Sequence, residues 1–369
     1  MPELAVVIPT LNERDNIEPL LDRLHRALID IDWEVVFVDD DSTDGTCERI
    51  RELSYRDSRV RLLRRIRRRG LSSACIEGMM ATTTPYLAVM DADLQHDETL
   101  LPKLLAEAKS RELDLVVASR NLDPGGMGEF AARRVRLSNL GAAIGRLLPG
   151  AARLTDPMSG FFLIDRRFLD RVVYRISGIG FKILLDLVAS SPQPVRFAEL
   201  PFQFRSRLHG SSKLDLSVSV EYLYLIVDKF IGDVIPVRFA FFVLAGIPGL
   251  AIHLTALAAM MRLGGWPFFT SNVFATWLAM TLNFFVNNWF TYRDQRLSGL
   301  RLLRGLLLFY AACSLGALAS FSLAEFLYEK SVPWYLAGLL GMMIASVWNF
   351  GASRILAWRS SRGTRQPYN

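Results

Sequence analysis

The stretch V-M-D-A-D-L-Q-H-D-E, Val89 to Glu98, ends an apolar run with two carboxylates, an amide and an imidazole in close succession. On an extended strand end side chains alternate, so Asp91 and Asp93 point the same way, and Gln95 shares that parity where the extended geometry persists. Two oxygen-rich side chains and an amide make part of a shell for a hard cation. Mg²⁺ or Mn²⁺ would fill its other positions with water and substrate phosphates, and would stabilise charge growing on a departing diphosphate. The bland alternative is a helix N-cap, with Asp93 or Asp97 capping a helix through Leu100–Ala108. His96 suits either a metal shell or a helix-start hydrogen bond.

The elements that must carry these residues alternate between strand and helix. Strands are expected at Leu4–Pro9, Glu34–Val38, Val60–Leu63, Tyr86–Met90 and Leu113–Ala118. A helix from Ile17 to Ile29 places Ile17, Leu20, Leu21, Leu24 and Leu28 on one face. Further helices follow Thr43-Asp44-Gly45 and Gly70-Leu71-Ser72-Ser73-Ala74. Such alternation predicts a mostly parallel sheet, Rossmann-like, whose ligands sit beyond the carboxyl ends of the strands. Acidic groups follow three of those ends: Asn12-Glu13, Asp39-Asp40-Asp41 and Asp91-Ala92-Asp93. Their convergence on one edge favours a ligand site over surface solubility.

The 369 residues are 51% hydrophobic with a mean hydropathy of +0.23, and the apolar residues are unevenly spread. Up to Pro236 the chain reads as a water-soluble α/β head. Beyond it, apolar runs reach the ~20 residues that a bilayer crossing needs. Cys47, Cys75 and Cys313 show neither metal-ligand nor disulfide spacing and suit a reducing compartment. The opening L-A-V-V-I-P lacks the basic region and cleavage site of a signal peptide, so the head is expected in the cytoplasm. The sequence pI of 9.3 does not point to nucleic acid, because the basic excess lies beside membrane segments without interleaved aromatic stacking platforms.

Seven motifs occur in order: V-V-I-P-T-L-N-E (Val6–Glu13), V-D-D-D-S (Val38–Ser42), G-L-S-S-A (Gly70–Ala74), M-D-A-D-L-Q-H (Met90–His96), D-P-M-S-G-F-F (Asp156–Phe162), G-F-K (Gly180–Lys182) and G-S-S-K-L (Gly210–Leu214). Together they resemble the family-2, GT-A-fold glycosyltransferases, and within them the polyprenyl-phosphate mannosyltransferases. By that resemblance the donor is GDP-mannose and the acceptor a dolichyl or other polyprenyl phosphate. The resemblance places Pro9, Leu11, Glu13, Val38 and Asp40 around the nucleotide, with Asp91 and Ala92 beside them. Many relatives carry tyrosine where this chain has Leu11. Asp93 and Gln95 would hold the metal. Lys182, Arg207 and Lys213 would meet donor phosphates or sugar, and Arg120, Arg134 and Ser138 would receive the acceptor phosphate. Asp91, Asp93, Arg120 and Arg207 are the catalytic candidates. A glucosyltransferase using UDP-glucose, and a flippase or scaffold that binds without turnover, are the competing readings.

The remaining cations divide by position. Arg64-Arg65-Ile66-Arg67-Arg68-Arg69 reads as a solvated or lipid-headgroup-facing run. Arg133, Arg134 and Arg136 follow Pro124-Gly125-Gly126 in a candidate acceptor loop, and Arg205 competes with Arg207 for its role.

Four domains follow: a GT-A head over 1–213, interfacial amphipathic helices over 214–235, a four-span region over 236–359 and a basic tail over 360–369. The spans are expected at Phe239–Met261, Phe268–Phe290, Leu302–Leu327 and Trp334–Ala357, with Gly246, Pro248 and Gly249 as a kink site and Trp266, Trp334 and Trp358 near span ends. Arg293, Arg296, Arg301 and Arg304 crowd one connection, and Arg354, Arg359, Arg362 and Arg365 crowd the C-terminal end, against Arg262 and Lys330 elsewhere. The positive-inside rule then puts both termini in the cytoplasm. The block resembles GtrA-like domains. Asn283, Asn287, Asn288 and Glu325 are expected to pack between helices. The sequence sets no oligomeric state.

Overall fold

Strand β1 (Leu4–Thr10) shows why the head folds as it does. Leu4, Val6 and Ile8 pack on one side of the sheet and Ala5 and Val7 on the other, and all five are fully buried. A strand buried on both faces must lie between two layers of helices. The computed structural model describes residues 1–66, 68–122, 143–148, 150–178, 180–203, 205, 216–231, 236–292, 296–332 and 334–357. It divides the chain into two compact units, Met1–Phe230 and Ile231–Asn369.

In the first unit the strands are β1, β2 (Trp33–Asp39), β3 (Val60–Arg64), β4 (Tyr86–Val89), β5 (Leu115–Ser119), β6 (Phe162–Asp165) and β7 (Phe197–Pro201). They form one seven-stranded sheet in the order β3-β2-β1-β4-β6-β5-β7. Every pairing is parallel except those of β6, which runs antiparallel to both β4 and β5. Helices α1 (Arg14–Ala27), α2 (Thr46–Arg56) and α4 (Leu101–Ser110) cover one face through Leu20, Leu24, Ile50 and Leu104. The other face is covered by α3 (Leu71–Met80), α5 (Arg166–Val172) and α6 (Ile183–Ala189), through Met79, Phe168 and Leu184. The mostly parallel α/β head expected from the alternating pattern is therefore present, and the antiparallel β6 and the edge strand β7 are the additions that pattern did not reveal.

Helix α3 comes unusually close to the sheet. A Cβ placed on Gly78 would lie 2.4 Å from Val7 Cγ1 and 2.7 Å from Val38 Cγ2, so only glycine lets the helix lie there. Val38 is wholly buried under this helix, which makes its side chain part of the core. Helix α7 (Leu216–Ile231), expected to lie on a membrane surface, also turns Leu225 and Ile226 into the head's core. Apolar packing against α6 and its neighbours explains that difference.

The second unit contains α8 (Val237–Arg262), α9 (Phe268–Val286), α10 (Gly299–Glu329) and α11 (Trp334–Leu356), one at each apolar stretch. Val237–Arg262 and Gly299–Ala319 are long and apolar enough to cross a bilayer, with mean hydropathies of 1.9 and 1.8. Large apolar side chains such as Ile247, Leu250, Leu307 and Ile355 face outward, as lipid-exposed helices require. Helix α8 runs through Pro248. A π-helical turn, Asn287–Thr291, ends α9, and Asn287 Nδ2 bonds Asn283 O at 2.9 Å while Asn288 Oδ1 accepts from Leu297 N. These amides satisfy backbone inside the bundle. The Glu325 and Trp334 side chains, and residues Arg293, Trp358, Arg359, Arg362 and Arg365, lie outside the described set.

Candidate functional site

The carboxyl edge of the sheet collects the site, and each loop there is braced by its own side chains. Asp39, at the end of β2, is completely buried and accepts from Thr10 Oγ1 (3.0 Å), Ser42 N–H (2.9 Å), Ser42 Oγ (2.6 Å) and Cys47 Sγ (2.9 Å). Burial and this carboxylate push the Cys47 thiol up to about 12, so Cys47 is an inert donor rather than a nucleophile. Asn12, in the left-handed region at φ 56°, closes the β1–α1 loop by taking Ser42 Oγ on its N–H (2.8 Å). Glu13 N–H donates to Thr46 Oγ1 (3.0 Å) and its carboxylate accepts from Asn16 (2.7 Å). Leu11 is half-buried, and Pro9 is buried in β1.

Asp40 is held differently. Arg65 Nη1 donates to its Oδ1 (2.5 Å) and Gly70 N–H to its Oδ2 (2.7 Å). Arg65 also donates to Gly70 O (3.1 Å) and Ser73 Oγ (2.6 Å). The pair is buried, at 4% and 6% exposed. Desolvation raises the Asp40 carboxyl above its ordinary value, with Gly70 and Arg65 opposing the shift. Arg65 is thus not the solvated or lipid-facing residue expected of its run. The end of β3 turns it inward while Arg64 faces Asp41 (2.8 Å).

The acidic stretch itself departs from simple strand alternation. β4 stops at Val89, and Leu94 takes a left-handed φ of 64°. Gln95 therefore does not share the parity expected of Asp91 and Asp93; a braced turn follows Asp93. Gln95 N–H donates to Asp93 Oδ1 (3.2 Å), and Gln95 Nε2 to Arg205 O (3.0 Å), leaving Oε1 as the amide's acceptor atom. Asp97, not Asp93, caps the following turn by accepting from Thr99 N–H (3.1 Å). The capping alternative is met by Asp97 alone.

His96 braces the turn. Its Nδ1 accepts Asp91 N–H at 3.0 Å, which assigns the proton to Nε2, 3.8 Å from Asp91 Oδ2. The ring stacks on Phe161 at 5.1 Å and meets Phe202 edge-on at 5.8 Å. Burial lowers its pKa, so the imidazole is neutral. Asp91 keeps 38% of its side chain exposed, yet desolvation at the edge, with the nearby Asp93, raises its carboxyl above its ordinary value.

Antiparallel β6 delivers D-P-M-S-G to the same edge, because Phe162 pairs with Val89 and with Val117. A Cβ on Gly160 would stand 3.4 Å from Asp91 Oδ2, so this loop lies against the acidic turn. Asp156, 1% exposed, grips Arg120 at the end of β5 through Nε (2.7 Å), Nη2 (3.0 Å) and the backbone N–H (3.3 Å). Lys182 stands just before α6, and its charge interacts with Asp91, Arg120 and Asp156. Burial and the like charge of Arg120 lower its pKa, and it makes no ion pair among the described residues.

Asp91, Asp93, Gln95, Arg120 and Lys182 are brought to one edge. Arg205, set against Arg207 for one role, pairs with Asp97 (2.7 Å) and Glu98 (2.8 Å). Arg133, Arg134, Arg136, Ser138, Arg207 and Lys213 lie outside the described residues. Among the described residues no group of three His, Cys, Asp or Glu gathers around a common point. The donor set is two carboxylates and an amide oxygen, which fits a hard divalent ion completed by water and phosphate. Sequence reasoning gave Asp156 no role of its own, although it sits in a quoted motif.

An α/β head with acid-tipped strands and an adjoining pair of cations, followed by helices long and apolar enough to cross a bilayer, defines a membrane protein with a charged site at one sheet edge. Residues 5–173 match the family described as Glycosyl transferase family 2, and residues 241–358 match the GtrA/DPMS, transmembrane domain. The chain belongs to glycosyl transferase family 2, as the branch that carries this membrane domain. A dolichol-phosphate mannosyltransferase from Pyrococcus furiosus is 33% identical over 96% of this chain and 99% of its own length. One from Saccharomyces cerevisiae is 34% identical over 62% of this chain and 87% of its own. Mannosyl-3-phosphoglycerate synthase from Rubrobacter xylanophilus, a solved structure, is 17% identical, covering 63% of this chain and 75% of that one at a TM-score of 0.47.

Proposed function

We propose that this glycosyltransferase moves mannose from GDP-mannose to a dolichyl or other polyprenyl phosphate, with inversion, at the cytoplasmic face of a membrane that its C-terminal region crosses four times. The observation that carries this reading is the 33% identity to a dolichol-phosphate mannosyltransferase along nearly the full length of both chains.

The chemistry needs no strong base. A polyprenyl monophosphate is largely ionised near neutrality, its second pKa being ~6 by analogy with phosphorylated side chains, so its oxygen attacks the anomeric carbon directly. Approach from the face opposite the leaving diphosphate turns an α-linked donor into a β-linked product. What the protein must supply is placement of two anions that repel each other. Arg120, steadied by Asp156, offers its outer N–H groups to the acceptor phosphate, with Arg134 and Ser138. Lys182, with Arg207 and Lys213, meets the donor's phosphates or sugar. Pro9, Leu11, Glu13, Val38, Asp40 and Ala92 shape the nucleotide pocket, where Asp40 is prealigned by Arg65. Asp93 and Gln95, beside Asp91, would hold Mg²⁺ or Mn²⁺, which when bound stabilises charge on the departing diphosphate.

The test is a donor panel. Purified protein with a polyprenyl phosphate should transfer radiolabelled mannose from GDP-mannose in preference to glucose from UDP-glucose. EDTA and Asp93→Ala should each abolish transfer while membrane insertion is retained. Transfer undiminished by EDTA would sink the metal assignment, and preference for UDP-glucose would sink the donor.

A further inference from the structure

Helix α6 reads I-L-L-D-L-V-A, an apolar run interrupted by Asp186, whose side chain is completely buried. Its carboxylate accepts from Ser177 N–H (3.2 Å), Ser177 Oγ (2.7 Å) and Gly178 N–H (3.0 Å). Its own backbone N–H donates to Lys182 O at 3.1 Å. The side chain therefore holds the start of the segment that presents Lys182, and the first turn of the same helix carries Lys182 at the other end.

The counterion comes from a distant part of the sequence. Lys229 of α7 pairs with Asp186 Oδ1 at 2.7 Å and donates to Arg175 O (2.9 Å) and Ser190 Oγ (2.8 Å). Its side chain is 8% exposed. Burying two charges carries a desolvation cost that an apolar pair of similar volume avoids, so packing alone does not account for this arrangement. The segment also touches the donor side. Gly178 and Gly180 adopt left-handed φ of 63° and 80°, and Gly180 O accepts Ser72 N–H at 3.1 Å. Ser72 neighbours Ser73, which Arg65 binds beside Asp40. The N-terminus of α3 and α7 thus reach the same stretch of chain, α3 through Ser72 on Gly180 and α7 through the Lys229–Asp186 pair that holds Ser177 and Gly178.

We infer that Asp186 is a positioning residue for Lys182, with Lys229 as the counterion that ties α7 to the segment presenting it. This rests on the reading that Lys182 meets the sugar-nucleotide donor. Asp186→Asn leaves one side-chain oxygen where Ser177, Gly178 and Lys229 share two, and the segment relaxes away from the setting that brings Lys182 near Asp91. Any loss of function then passes through Lys182.

A double-mutant cycle of Asp186→Asn and Lys182→Ala in the full-length protein tests this, read as kcat/KM for transfer and as GDP-mannose affinity. Asp186→Asn alone should lower kcat/KM about tenfold, but change it less than about twofold once Lys182 is alanine. Equal losses in both backgrounds would show a merely structural role and overturn the inference. If Asp186→Asn does not fold, Ser177→Ala, which removes one donor and keeps the ion pair, enters the same cycle and is judged by the same non-additivity. A wild-type protein that binds GDP-mannose without transferring mannose would count against the proposed function, and the affinity cycle would still decide the role of Asp186.

Discussion

Replacing Arg65 with methionine keeps the apolar stem and removes every donor that Arg65 gives to Asp40, Gly70 and Ser73. Asp40, 6% exposed, is left with Gly70 N–H. Removing one partner of a buried pair costs about 3–5 kcal/mol, because the other charge stays buried and uncompensated. In a unit the size of Met1–Phe230, each kcal/mol shifts Tm by about 2–4 °C, so Arg65→Met should melt on the order of 10 °C lower. The pH dependence follows from the carboxyl. Desolvation already raises Asp40 above its ordinary value of 3.8, and loss of Arg65 raises it further. A carboxyl whose folded pKa exceeds its unfolded one favours the folded state at low pH and loses that contribution as pH rises through the folded value. The drop in Tm should therefore be smaller at about pH 5 than at about pH 8. Differential scanning calorimetry of the detergent-solubilised pair of proteins reads both effects. A variant melting within about 2 °C of wild type at the higher pH, or an equal drop at both, would refute the buried-pair reasoning.

Gly78→Ala places a methyl 2.4 Å from Val7 Cγ1, and overpacking of that kind costs about 1–3 kcal/mol; the same calorimetry should show a lower Tm at every pH, and an unchanged Tm would mean α3 shifts freely. Asp156→Asn frees Arg120 from its fork, so KM for the polyprenyl phosphate should rise about tenfold while GDP-mannose affinity changes less than about threefold. Weakened donor binding instead would move Arg120 from the acceptor to the donor side.

Strands β1 and β2 were legible because they are buried on both faces. Leu4–Pro9 and Glu34–Val38 read as apolar runs that lead into acidic loops, to which the structure adds Thr10 in β1 and Trp33 and Asp39 in β2. The second half of the sheet was less so. Phe162–Asp165 is short and apolar, and nothing in its composition records direction, since the reversal of β6 is fixed by pairing with β4 and β5. Within the site, the acidic ends were visible as residue types and their local geometry was not. A left-handed Leu94 cannot be read from a run expected to be extended, and that single torsion separates Gln95 from the parity of Asp91. Arginines at 64, 65, 67, 68 and 69 are chemically alike, so only the turn at the end of β3 distinguishes Arg65, inside on Asp40, from Arg64, outside on Asp41. Asp186 did leave a trace: an acid inside an apolar helical run needs a buried partner, though nothing near it in the chain named Lys229.

The reversal of β6 divides the labour of the head. Strands β3, β2, β1 and β4 all point at the edge, and their loops carry Glu13, Asp40 and Asp91 to it. Past β4, the sheet turns back on itself: β6 runs the other way, and Asp156 and Gly160, which lead into it, stand against Arg120 and Asp91. A slip in the pairing of β6 would therefore shift Asp156 and Gly160 together, and with them both the fork on Arg120 and the wall beside Asp91.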